Sequence, residues 1–212
     1  MAITKREYRN EVIDRLFNSD SRFIFQAINK NSELLHGLCD EIINDIDEKK
    51  TVNDSKEKYV VIRSDINDFN GDTRDIATKK MFYFFNKALI DNGAITADEF
   101  KSVVKADVSA LSEKIAANKL EKVLIALLDV LNKKGTKVLI LIENYDKTPG
   151  LWTEEAYSLM RHLYGGLDGS SARNNLSLIT FTSKSVYQVS NLPAGGSPFN
   201  NIFNKADGEI LD

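Results

Sequence analysis

The sequence has a single cysteine, Cys39, so no internal disulfide can form, and its two histidines, His36 and His162, are too few for a zinc set. These shortages lead to the expectation of a cytoplasmic, metal-poor protein. No apolar run approaches the roughly 20 residues that a membrane span needs, and the start, MAITKREYRNEVIDRL, is too charged for a signal peptide. A surplus of either charge is missing as well. Lys and Arg number 28 against 31 Asp and Glu, a formal net charge of -3, so there is no sequence-wide attraction to nucleic acid or to an anionic membrane. Repeats and low-complexity tracts are absent, and SNLPAGGSPFNN is the one stretch rich in Gly, Pro and Asn.

What is present is 212 residues with 42% hydrophobic content and no break in composition. That is enough for one sizeable core, so a single domain spanning 1–212 is expected, with an N-terminal helix over 1–20 and a core over 22–212. Tyr8, Val12 and Leu16 stand at helical spacing in the first helix. RFIFQAI predicts a strand. SELLHGLCDEIINDI predicts a helix, in which Ser32 is available as the cap. YVVIRSDI predicts a second buried strand, and DIATKKMFYFFNKALIDNG a helix stopped by Gly93. EKIAANKLEKVLIALLDVLNKKG predicts a helix ending at Gly135. KVLILI and NLSLITFT predict further strands, with TEEAYSLMRHLYGGL as a helix between them. Continuous apolar strands separated by helices point to a mainly parallel sheet of about five strands, covered on both faces in a three-layer α/β sandwich. Ligands of such sheets bind at the carboxyl ends of the strands, where KVLILIENYD delivers Glu143, Asn144 and Asp146.

The opening helix, the strand ending in acidic residues after VLILI, the strand SLITFTS and the segment GSPFNNIF together resemble the AAA+ class of P-loop ATPases. The nearer likeness is to the STAND and archaeal-type ATPase modules of signalling and defence proteins. It is a likeness of organisation across nearly the whole chain. It implies a P-loop NTPase-like fold and, at the strand end, an Asp-Glu pair that holds magnesium through water and orients the attacking water. Glu143 and Asn144 stand at those positions. An amide cannot take a proton from water as a carboxylate does, so Asn144 argues against efficient hydrolysis. Asp146 matches the aspartate that closes the motif, with a structural role.

The phosphate loop, G-x-x-x-x-G-K-[ST], aligns on FQAINKNS, with Phe25 and Lys30 at the glycines, Asn31 at the lysine and Ser32 at the magnesium-binding hydroxyl. Only Ser32 matches. Glycine is required there for unusual dihedrals and close approach to phosphate, and Phe25 is expected to obstruct it. Lys30 offers a charge one residue early. The motif therefore reads as a degenerate Walker A, and a nucleotide, if bound, would meet Lys30, Asn31, Ser32 and Thr182, with magnesium at Ser32 and Glu143. Thr182 and Ser183 stand where the family keeps a sensor of the terminal phosphate, and Arg173 where a subunit-bridging arginine lies.

Each of these residues has a plainer reading. Glu143 and Asn144 can cap the loop after a buried strand, Ser32 can be a helix N-cap, and Arg173 a solvated loop arginine. His36 and His162 fit no ligand spacing and are taken as incidental. Cys39 falls on the leucine face of its helix as a core thiol. MFYFF has too many bulky residues for one helical face, which points to a partner surface. The family continues beyond the last strand into a helical lid, whereas GEILD is long enough for the strand alone, so a module without a lid is expected. The reading is a non-catalytic ATPase-like scaffold that acts through a protein partner or self-association, with no cofactor and no membrane. The alternative is a nucleotide switch or slow ATPase using ATP and magnesium. Nucleic acid is a weaker option, because Lys5, Arg6, Arg9 and Arg15 share their helix with Glu7, Glu11 and Asp14.

Overall fold

The computed structural model describes residues 2–18, 23–52, 59–69, 74–147, 175–184 and 208–211. Helix TEEAYSLMRHLYGGL, the loop SNLPAGGSPFNN, His162 and Arg173 lie outside them.

Among the described residues, eleven strands and α-helices follow one another: β1 (Ala2–Thr4), α1 (Lys5–Asn18), β2 (Ile24–Ile28), α2 (Ser32–Val52), β3 (Tyr59–Asp65), α3 (Arg74–Asp91), α4 (Ala97–Val104), α5 (Ala117–Lys133), β4 (Lys137–Glu143), β5 (Leu176–Thr182) and β6 (Gly208–Leu211). The strands form one sheet in the order β1-β6-β2-β5-β4-β3, and every pairing is parallel. The sheet thus has six strands where about five were expected. The additional one is β1, three residues long, which leans on β6 through Ile3 opposite Ile210.

Two cores explain why the central strands are apolar over most of their length. On one face Ile62, Ile140 and Leu178 pack with Phe85, Leu124 and Leu127 of α3 and α5. On the other, Phe25, Leu141 and Ile179 pack with Val12 of α1 and with Leu38 and Ile42 of α2. Successive side chains of a strand point to opposite faces, so a strand between two helical layers must be mostly apolar on both. β5 is buried along its whole length. By contrast β3 leaves Val61, Arg63 and Asp65 only partly buried, because it is the sheet's edge rather than an interior strand.

Helix ends follow local chemistry. α1 and α4 both open with Thr-x-x-Glu capping boxes: Glu7 Oε2 accepts from Thr4 N at 2.9 Å, and Glu99 Oε2 from Thr96 N at 2.9 Å. Gly93 and Gly135 end α3 and α5 at φ of 69° and 68°, the left-handed region in which glycine is unstrained.

Candidate functional site

The carboxyl ends of β2, β4 and β5 converge on a cavity of about 370 Å³. Six of the residues singled out from sequence line it, namely Ser32, Glu143, Asn144, Asp146, Thr182 and Ser183. Lys30 and Asn31 do not, while Lys147, which the sequence did not single out, does.

The first wall is the connection from β2 to α2, only three residues long, 29–31. Phe25 is not in this loop. It sits inside β2, 2% exposed, stacked near Tyr8 and Phe23, so the position aligned with the first phosphate-loop glycine is core. The loop is held by its own side chains. Asn29 Nδ2 donates to Ile210 O at 2.7 Å, and Asn29 Oδ1 accepts from Asn31 N at 2.7 Å. Asn31 Oδ1 accepts from Glu33 N at 3.0 Å and from Leu34 N at 3.3 Å. Asn31 is therefore the cap of α2, and Ser32, read from sequence as the cap, is its first helical residue. Backbone N–H groups at a helix start attract anions, but here a neutral amide oxygen already occupies them.

The second wall is the end of β4. Glu143, with its side chain 12% exposed, accepts from Arg63 twice, Nε to Oε2 at 3.1 Å and Nη2 to Oε1 at 2.9 Å. Arg63 also donates to Asp40 through Nη1. These hydrogen bonds to the Glu143 and Asp40 carboxylates outweigh desolvation and hold the guanidinium's pKa above its ordinary value. His36 is not incidental. Its Nδ1 lies 3.1 Å from Glu143 Oε1 and 2.9 Å from Arg63 Nη2, and one ring nitrogen can serve only one of these at a time. Both oxygens of the residue in the magnesium-holding position are thus engaged by a cation of the chain itself. Asn144 follows at φ 54°, in the left-handed region that asparagine tolerates, and its Nδ2 donates to Asp65 Oδ2 at 2.6 Å. Its amide ties the ends of β4 and β3 together.

Asp146 forms the third wall, in a short 3-10 turn over Tyr145–Lys147. Ser183 Oγ donates to its Oδ2 at 2.7 Å, Ser183 N to its Oδ1 at 3.0 Å and Thr182 Oγ1 to its Oδ1 at 3.2 Å. Burial pushes the Asp146 carboxyl upward, but these donors prevail and its pKa lies below the usual carboxylate value. Thr182 and Ser183 thereby anchor Asp146. Among the described residues, no group of three or more His, Cys, Asp or Glu side chains could hold a metal ion.

Sequence reasoning missed Arg63, Asp65 and Asp40 and set His36 aside. The available signal was the pair of charged residues in YVVIRSDI, unexpected in a strand read as buried on both faces. Away from the cleft, Cys39 is fully buried, and desolvation pushes its thiol up to about 12, as befits a core thiol. On α1, Arg9 binds Asp45 and Glu41 at 2.6 Å each, and Arg15 binds Glu11 at 2.9 Å, so those two cations serve intramolecular pairs. No described helix is long and apolar enough to cross a membrane.

No family model and no curated protein sequence matches the chain. Solved structures do. The ORC2 protein of Aeropyrum pernix, determined as ADPNP-ADP complexes, superposes with a TM-score of 0.56 at 11% identity, over 98% of this chain and 46% of that one. The Aeropyrum pernix ORC1 protein in complex with DNA gives 0.52 at 10% identity, over 100% of this chain and 46% of that one. A Walker-type ATPase of Pyrococcus abyssi gives 0.50 at 12% identity, over 99% and 53%. The chain spans about half the length of the structures it matches. At such identities the likeness is one of fold alone, an α/β, P-loop NTPase-like architecture with a parallel sheet flanked by helices.

Proposed function

We propose that this chain is a non-catalytic, ATPase-like scaffold that acts through protein–protein contacts. One observation carries the reading: the β2–α2 connection has three residues, and the side chains of Asn29 and Asn31 already accept from Asn31 N, Glu33 N and Leu34 N. A triphosphate concentrates several negative charges and needs a loop that wraps it with free N–H groups and a lysine. This connection is too short to wrap one, its lysine, Lys30, is exposed and does not line the cavity, and Glu33 and Asp146 give that cavity acidic walls that repel phosphate. Glu143, the remaining acid, is neutralised by Arg63, and the neighbouring Asn144 is no base.

A second reading, a nucleotide switch or slow ATPase, has one observation in its favour. Ser32, Glu143 and Thr182 line a single cavity in the fold position where such proteins bind nucleotide, and Lys147 adds a cation there. The ORC1 structure with DNA raises the same question for nucleic acid, against which stand the paired arginines of α1. Titrating labelled ATP and magnesium into the wild-type chain and into a Ser32→Ala, Glu143→Gln variant decides. No saturable binding to either supports the scaffold. Saturable binding that the double substitution abolishes refutes it.

A further inference from the structure

β3 closes one side of the sheet. β4 pairs with it along all seven residues, and no described strand pairs with its outer side. Asn92 Nδ2 donates to Val61 O at 3.4 Å, which places the peptide groups of Val61 on that outer side. Strand alternation places those of Arg63 there as well. A row of outward N–H and C=O groups is a template for another strand. Beside it runs a groove of about 690 Å³ whose far wall is one stripe of α3, with Lys80, Tyr83, Phe84, Lys87 and Asp91 at three-and-four spacing. Here lies the surplus of the MFYFF run. Met81, Phe82 and Phe85 are buried in the core, while Tyr83 and Phe84 are left partly exposed on the groove wall.

We propose that a second copy of this chain occupies this groove, adding its β3 antiparallel to the first across a two-fold axis perpendicular to the sheet. The outward peptide groups call for a strand, and the charges say which. Arg63 is engaged by Glu143 and Asp40, and the groove's remaining charges, Lys80 and Lys87 against Asp68, Asp91 and Glu113, are of both signs, so a strongly acidic or strongly basic partner meets repulsion as well as attraction. An isologous pair meets its own complement. With the axis at Val61, Tyr59 of one copy opposes Arg63 of the other. With the axis at Ile62, Tyr59 opposes Asp65 and Val61 opposes Arg63. Neither register sets like charge against like. The axis keeps both α3 helices on one face, where Tyr83 and Phe84 lose their exposure and the Lys87–Asp91 stretch of one copy runs against the reverse stretch of the other. Two six-stranded sheets become one.

This inference gives the scaffold a partner, and its failure is separable from that of the scaffold reading, since it makes no use of the nucleotide cleft. Light-scattering mass measured across micromolar concentrations tests it, with twice 23.8 kDa as the expected value. Val61→Pro removes an outward N–H without touching the β4 ladder, and Tyr83→Glu charges the groove wall. Each is expected to halve the mass while leaving the far-ultraviolet circular dichroism unchanged. If Val61→Pro fails to fold, Tyr83→Glu alone decides. A wild-type chain that keeps the monomer mass at every concentration overturns the proposal. So does a dimer that persists in the folded variants, or a monomer that binds a different protein at this groove.

Discussion

Arg63 and Glu143 sit diagonally across the β3–β4 ladder, Arg63 opposite Leu141 and Glu143 opposite Asp65, and join through two hydrogen bonds of 3.1 and 2.9 Å. The pair makes Glu143 a brace between two strands. Removing the guanidinium strands a carboxylate that is only 12% exposed. Arg63→Met is therefore expected to destabilise by about 2 kcal/mol, below the full value for a buried pair because the arginine keeps some solvent contact. Glu143→Gln in the same background should cost much less than it does alone. A urea-denaturation cycle over the four proteins measures the coupling, and additive effects would refute the brace.

Asn31 and Ser32 exchange the roles the sequence suggested, and stability tells them apart. Asn31→Ala removes the acceptor for Glu33 N and Leu34 N and is expected to cost about 1 kcal/mol. Ser32→Ala is expected to change stability by less than about 0.5 kcal/mol, as an exposed substitution that removes no cap. Equal losses on chemical denaturation would return the capping role to Ser32.

The sheet was legible because burial on both faces makes β2, β4 and β5 mostly apolar, with few polar interior positions such as Gln26, Ser177 and Thr180, and such runs have few other structural explanations. β1 was not legible: Ala2–Thr4 is too short to carry a pattern and exists by pairing with β6. Its end was nevertheless marked, since Thr4-x-x-Glu7 is the same capping signature as Thr96-x-x-Glu99, and the latter also marks α4, which the hydrophobic rhythm had hidden. At the site, Glu143, Asn144 and Asp146 could be placed because they end a strand. Arg63 could not be assigned to them, lying 80 residues away on a different strand, a proximity that only the parallel register creates.

Asp146 ties the end of β4 to the end of β5, and its pKa gives that tie a pH dependence. Its folded pKa lies below the ordinary aspartate value, so the carboxylate contributes stability that is complete above the unfolded value and is lost as the pH falls through the folded one. Asp146→Asn keeps one acceptor and loses the charge, and should cost about 1 kcal/mol at neutral pH. The gap between wild type and variant is expected to close as urea melts are taken from pH 7 toward pH 3. A gap that stays constant would mean that the charge contributes nothing.

Restoring an acid beside Glu143 is the obvious repair of the motif, and the geometry opposes it. Asn144 Nδ2 donates to Asp65 Oδ2 at 2.6 Å, so Asn144→Asp replaces a donor with a second carboxylate at hydrogen-bonding distance. Two such groups cannot both ionise without repulsion, and one of them must take a raised pKa in the folded state. A raised carboxylate pKa destabilises above that pKa, and the penalty fades as the pH falls and the shared proton binds. Asn144→Asp is expected to lose about 1–2 kcal/mol at pH 7 and to recover most of it near pH 5. Asp65→Asn in the same chain restores a donor opposite the new acid and should rescue stability at neutral pH. If the single variant is as stable as wild type at pH 7, the Asn144–Asp65 bond is not what holds these strand ends together.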